Sequence, residues 1–197
     1  MMPRRNIAAA GIVVFAGVSA WVLFIGLPRW YAARNAPAAT LPGAATAPAA
    51  AAVRKITATL YYVSDDGMAL VPAQREVPFG ATVVEQARAI IEAQIAGAPP
   101  LVSAVPVETT LRDVFITERG DAFIDLSSDI VAKHPGGSLD EIFTIYTLVN
   151  ALTVNLPAIT RVQILIDGKE VDTLAGHVDL RHPLSKNMEW VAVHDTH

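Results

Sequence analysis

The chain has 197 residues, no cysteine, and 19 acidic against 15 basic side chains. All 19 acidic residues, but only 11 of the Lys and Arg, follow residue 53, so that part carries a net charge of −8. Nucleic acid and anionic surfaces repel so acidic a body, and without a thiol there is no lipoprotein anchor, cysteine nucleophile or soft metal ligand.

Residues 1–6 form a short N-terminus carrying Arg4 and Arg5, and Ile7 to Leu27 then run without a charged side chain. About 20 apolar residues suffice for a helix to cross a ~30 Å hydrocarbon core, so 7–27 reads as a transmembrane helix. A cleaved signal peptide is the alternative, but its apolar core spans only about 7–15 residues. Here Pro28-Arg29-Trp30-Tyr31 follows, an interfacial pattern of rings and a cation and not a small-residue cleavage site. The two arginines favour an N-in orientation, which places the rest of the chain outside the cytoplasm.

Residues 28–53 are a linker. Within it Asn35 to Ala52 is mostly Ala, broken by Pro37, Pro42 and Pro48. Such an 18-residue stretch reaches roughly 55 Å as polyproline II and about 23 Å as a coil. Residues 54–184 have the size of one domain, and 185–197 read as a C-terminal tail.

Ile56–Val63 is rich in β-branched and aromatic residues, and Ser64-Asp65-Asp66-Gly67 is a turn cluster. Leu70–Val77 completes a hairpin in which Pro72 marks an edge. Thr82 and Glu85 have capping-box spacing at the start of a helix. Val84, Ala87, Ile91 and Ile95 give that helix an apolar stripe, widened by Val83 and Ile90, and Gly97 stands at its C-cap. A second hairpin turns at Arg119-Gly120-Asp121, between a strand over Leu111–Ile116 and another over Phe123–Leu126. Ser138 and Glu141 repeat the capping-box spacing before a helix with a broad apolar arc. Arg161–Asp167 alternates as a strand, Asp167-Gly168 signals a turn, and Val171–Leu174 reads as a short return strand. The predicted fold class is α+β: a two-layer sandwich of two helices packed on one face of a mixed β-sheet, in the order β-β-α-β-β-α-β, preceded by the single transmembrane helix.

The pattern of Leu60-Tyr61-Tyr62, Leu70-Val71-Pro72 with Arg75, Ala96-Gly97-Ala98-Pro99, Val105-Pro106, Ala122 to Ser127, Gly137-Ser138 with Glu141, and Val162 to Gly168 resembles the GerMN domain family. The resemblance covers roughly Lys55 to Gly176. It implies an extracytoplasmic, membrane-tethered domain with a fold similar to the ring-building motif of sporulation and secretion channels. It brings no catalytic residues to carry over.

Local motifs offer little chemistry. His177, Asp179 and His182 could gather around a metal, although a solvated segment explains them more simply. The same holds for His194, Asp195 and His197. Ser127-Ser128-Asp129 lacks a nucleophile elbow and reads as a turn and helix cap. Ser185-Lys186 cannot converge as adjacent residues. Asp125 faces solvent or the chain's own turn, and Arg119-Gly120-Asp121 is a hairpin turn. The expectation is a non-enzyme with no catalytic, cofactor-binding or metal site and no cofactor. It is a protein-interaction or scaffold module of the cell envelope, anchored in the cytoplasmic (inner) membrane and facing the periplasm. Its expected partners are envelope proteins or further copies of itself, met through sheet edges or helix flanks between Thr82 and Asp167. A receptor for an envelope ligand such as a glycan fragment, or a hydrolase-associated domain, is the alternative.

Overall fold

The computed structural model describes residues 54–192. The apolar run 7–27, the linker 28–53 and His194, Asp195 and His197 lie outside the described residues. Among the described residues no helix is long and apolar enough to cross a membrane.

The first two strands, β1 (Lys55–Val63) and β2 (Leu70–Pro78), pair antiparallel from Lys55 opposite Pro78 to Val63 opposite Leu70. One face, with Ala58, Leu60, Tyr62 and Val77, is buried. Helix α1 (Val83–Ala96) opens on the expected capping box. The Thr82 hydroxyl accepts the Glu85 N–H, and the Glu85 carboxylate accepts the Thr82 N–H. It ends at Gly97, whose φ of 68° an L side chain would resist.

The buried stripe of α1 keeps Ala87, Ile90 and Ile91 as expected but differs in the rest. Gln86, Ala87, Ile90, Ile91 and Gln94 face inward, whereas Val83 and Val84 are exposed. Two glutamines displace two valines because each amide finds a pair of backbone partners inside. Satisfying those buried groups outweighs the hydropathy of a pair of valines.

Strands β3 (Leu111–Ile116) and β4 (Asp121–Leu126) form the second hairpin, and β4 lies parallel to β5 (Arg161–Ile166). The crossover between them carries a single-turn helix α2 (Asp129–Ala132) and the long α3 (Ser138–Asn155). After β5, Asp167 and Gly168 both take positive φ, 49° and 75°, as a type I′ turn requires. That turn leads to β6 (Lys169–Glu170), and β7 (Leu184–Ser185) joins the other end of β5. The return strand is thus only two residues long. It does not extend over Val171–Leu174, because the Leu174 N–H is claimed by a side chain of α3.

The result is a mixed α+β fold, but the single sheet of the sequence reading is in fact two. β1 and β2 stand apart from a five-stranded mixed sheet ordered β3-β4-β5-β6 with β7 beside β5. Val114, Ala122, Ile124, Leu126, Val162 and Ile164 form the inner face of the larger sheet and share one core with Phe143, Ile145, Leu148 and Leu152 of α3. The sheets stay separate because the inner edge of β1 is taken by helix side chains. Residues 185–192, read as a tail, are drawn into the body. Leu70 exchanges backbone hydrogen bonds with Trp190 and Ala192, and the Trp190 ring packs edge-on against Phe143.

Candidate functional site

The buried polar groups show what the interior is built to do. Four carboxamides each bind one backbone N–H and one backbone C=O, as a neighbouring strand would. Gln94 of α1 accepts from the Tyr61 N–H (2.9 Å) and donates to its C=O (2.7 Å). Asn155 does the same for Thr59 (2.8 and 2.7 Å), so β1 presents a sealed edge to the helices. Gln86 holds the Gly80 N–H and the Pro78 C=O, and Asn150 holds both backbone groups of Asn187. None of the four stands out as a candidate in the sequence. The available signal is positional, since Gln86 and Gln94 interrupt the apolar stripe of α1 in phase with it.

Glu141 is the strongest case. Its side chain has 0% exposure and sits in the first turn of α3. It does not cap that helix as the sequence spacing suggests. The N-cap is Gly137, with no side-chain cap bond, because Glu141 lies one position too deep and turns inward. One oxygen accepts the N–H groups of Leu174 (2.9 Å) and Ala175 (2.8 Å). The other accepts the His177 N–H (2.7 Å) and lies 3.1 Å from His177 Nδ1. Burial pushes the carboxyl up, but the hydrogen bonds from Ala175, His177 and Leu174 outweigh it and hold the group below its ordinary pKa. The carboxylate latches the 174–177 segment to α3.

That latch occupies a member of the possible metal set. His177 is on Glu141, and Asp179 is paired in two places with the Arg181 guanidinium, which holds its carboxyl far below the usual range. Among the described residues no three His, Asp or Glu side chains are grouped to hold a metal ion. Ser127 accepts the Thr110 N–H and donates to Asp129, while Ser128 stands at the N-cap of α2 without a side-chain cap bond. Asp125 reaches the chain's own turn, accepting the Gly168 N–H (2.7 Å) and a bond from Arg112 (3.1 Å). An open depression of about 560 Å³ near the β1–β2 turn includes Asp65 and Asp66. The Asp66 carboxylate is already taken by the Ser64 hydroxyl and then the Met68 N–H, which keep its pKa low. The Tyr62 hydroxyl and Arg75 Nε are buried without a partner, the guanidinium lying 5.9 Å from the Tyr62 ring centre.

The surface is more suggestive than the interior. Phe115 on β3 is 56% exposed and stands opposite Phe123. Among the described residues β3 pairs with β4 alone, so its outer edge has no strand partner there. Other long edges are guarded at particular positions: β1 by carboxamides at Thr59 and Tyr61, and β2 by Pro72, Pro78 and the 190–192 segment on Leu70. On β3 Asp113 guards the first half of the edge, accepting the Val114 N–H and pairing with Arg88 of α1, which packs against this strand. Val114, Phe115 and Ile116 bring neither charge nor proline to it.

This architecture has known counterparts. The Germane family, described as sporulation and spore germination, matches residues 59–172. The tandem GerMN domains of the sporulation protein GerM from Bacillus subtilis are similar in structure, with a TM-score of 0.56 at 21% identity. That similarity covers 67% of this chain and 46% of that one, so the chain spans about half of the tandem structure. The first GerMN domain of the same protein matches with a TM-score of 0.49 at 19% identity, over 67% of this chain and 96% of that one. No curated protein matches. With more than half of its length matched by the family's pattern, the chain belongs to the Germane family of sporulation and spore germination domains.

Proposed function

We propose that the chain is a membrane-anchored, extracytoplasmic interaction module of the cell envelope. It performs no chemistry of its own and associates with envelope proteins or further copies of itself through the outer edge of β3. The observation that carries this reading is the contrast between edges. Carboxamides or prolines guard the edges of β1 and β2, whereas the second half of β3 carries neither and lies beside an exposed Phe115. Open strand edges are templates for pairing, and folds that keep one have a use for it or a liability in it. The apolar run 7–27 and the interfacial Trp30 and Tyr31 support the anchor, and membership of a family of sporulation and spore germination domains is in keeping with an envelope setting.

The test is crosslinking of the full chain in its membrane, with a photoreactive residue in place of Phe115. Adducts with itself or with a defined envelope protein are expected. Uncrosslinked monomer alone, from a chain that turns over or retains a wall fragment, overturns the reading. The anchor is tested separately by the mature N-terminus, which should lie at or near Met1. A start after Ala33 would refute it.

A further inference from the structure

The valines that α1 leaves outside belong to a second, differently built surface. Residues 78–84 read PFGATVV, and Phe79 (39%), Val83 (44%) and Val84 (38%) are all exposed. This knuckle is held rigidly. Gly80 lies so close to α1 that a Cβ would come within 2.3 Å of the Gln86 backbone nitrogen, and Gln86 binds the Gly80 N–H and the Pro78 C=O. Its acidic neighbours are occupied: Glu85 accepts the Ala81 and Thr82 N–H groups, and Glu76 pairs with Lys55. The cation beside it is Arg54, whose guanidinium carbon lies 4.1 Å from the centre of the Phe79 ring. The knuckle is also tied to the residue that leads into β1, since the Phe79 N–H donates to the Arg54 C=O (2.8 Å).

We infer that this knuckle rests on the lipid bilayer surface, with Phe79, Val83 and Val84 in the interfacial layer and Arg54 on lipid phosphates. The inference rests on the anchored reading above, because the occupant is argued from where the tether joins. Only residues 28–53 separate Leu27 from Arg54, and 26 residues reach roughly 28 Å as a coil and about 80 Å as polyproline II. A surface hydrogen-bonded to Arg54 is therefore within easy reach of the membrane that 7–27 would cross. Aromatic rings, small apolar side chains and an arginine suit the bilayer interface. The domain's net negative charge opposes long-range attraction to anionic lipid, so the contact is apolar and local. Tethering compensates by holding the knuckle at an effective millimolar concentration.

The absence of cysteine makes the test clean. Single variants of the full chain, V84C on the knuckle and V107C on the exposed α1–β3 loop, are labelled with an environment-sensitive dye. They are reconstituted into phosphatidylethanolamine–phosphatidylglycerol vesicles carrying nitroxide-labelled lipid. The dye at V84C should be quenched several-fold more than at V107C, with little change at high salt. Adding Phe79→Asp and Val83→Asp should remove the difference. Equal quenching at both positions in a chain that resists alkaline extraction overturns the inference and leaves the anchor standing. Release by alkali overturns the anchor itself. If V84C instead forms disulfide-linked dimers whose yield tracks protein density in the membrane, the knuckle faces another copy and the lipid assignment is wrong.

Discussion

Replacing Glu141 with glutamine tests whether the buried carboxylate is a latch or a passive space-filler. The substitution keeps shape and volume but exchanges one acceptor oxygen for an NH2 group. Whichever way the amide turns, a donor now faces a donor. In the better orientation its oxygen keeps the Leu174 and Ala175 N–H groups while the NH2 faces the His177 N–H. Hydrogen bonds to a charged group contribute about 1.5–3 kcal/mol each, and a buried unpaired donor costs about 1–3 kcal/mol. Allowing for relaxation of the partly exposed His177, the net loss is about 3 kcal/mol, or roughly a 100-fold rise in the open fraction of the segment. Hydrogen exchange of the full chain, read on peptides spanning 171–185, measures this directly. Amide protection there should fall by about two orders of magnitude while peptides from β4 keep theirs. Protection within threefold of the parent would refute the latch.

Four further outcomes follow from the same geometry. Because the Glu141 pKa is lowered from 4.5, its contribution is fully present above pH 4.5 and is lost as pH falls through the folded-state value, so 171–185 should lose protection in acid in the parent but not in E141Q. Gln94→Leu orphans the buried Tyr61 N–H, although Thr147 still reaches the Tyr61 C=O at 3.2 Å, and should cost about 2–4 kcal/mol in thermal or denaturant unfolding. Gly120→Ala must hold φ near 82° with its Cβ 2.6 Å from the Ala158 carbonyl oxygen, and should lower the melting temperature at a cost of at least about 1–3 kcal/mol. Val84→Asp removes no core contact and should leave stability within about 0.5 kcal/mol; a clear drop in melting temperature would return Val84 to the core.

Much of this was legible in the residues, and the failures share a cause. The first helix start, the Asp167-Gly168 turn and the edge position of Pro72 are set by local backbone chemistry, which neighbouring residues report. What local sequence does not carry is the destination of a long polar side chain. The spacing of Ser138 and Glu141 is that of a capping box, yet Glu141 reaches a segment 33 residues away. Gln94 looks like a solvated helix position and instead binds a strand 33 residues earlier. Val83 and Val84 have core spacing yet lie outside for the same reason, since Gln86 and Gln94 have backbone partners to meet within. The separation of the two sheets is hidden equally well, because it depends on which groups occupy the edge of β1.

These long-range bonds also narrow where function can lie. Gln86, Gln94, Thr109, Asp125, Glu141, Thr144, Thr147, Asn150 and Gln163 are the buried polar side chains that bind backbone, and Asp121 binds Arg161. The same engagement makes the surface rigid. β1 cannot recruit another strand while Gln94 and Asn155 fill its edge, and the knuckle cannot fold back while Gln86 grips both sides of Gly80. Interior order therefore leaves two surfaces for the contacts proposed above, the edge of β3 and the apolar knuckle beside Arg54. If both are used at once, the knuckle fixes the domain's tilt on the bilayer and so decides which way the edge of β3 points. The two-surface picture then makes a joint demand: disabling the knuckle should reduce crosslinking at Phe115 without touching β3, whereas independent surfaces would leave it unchanged.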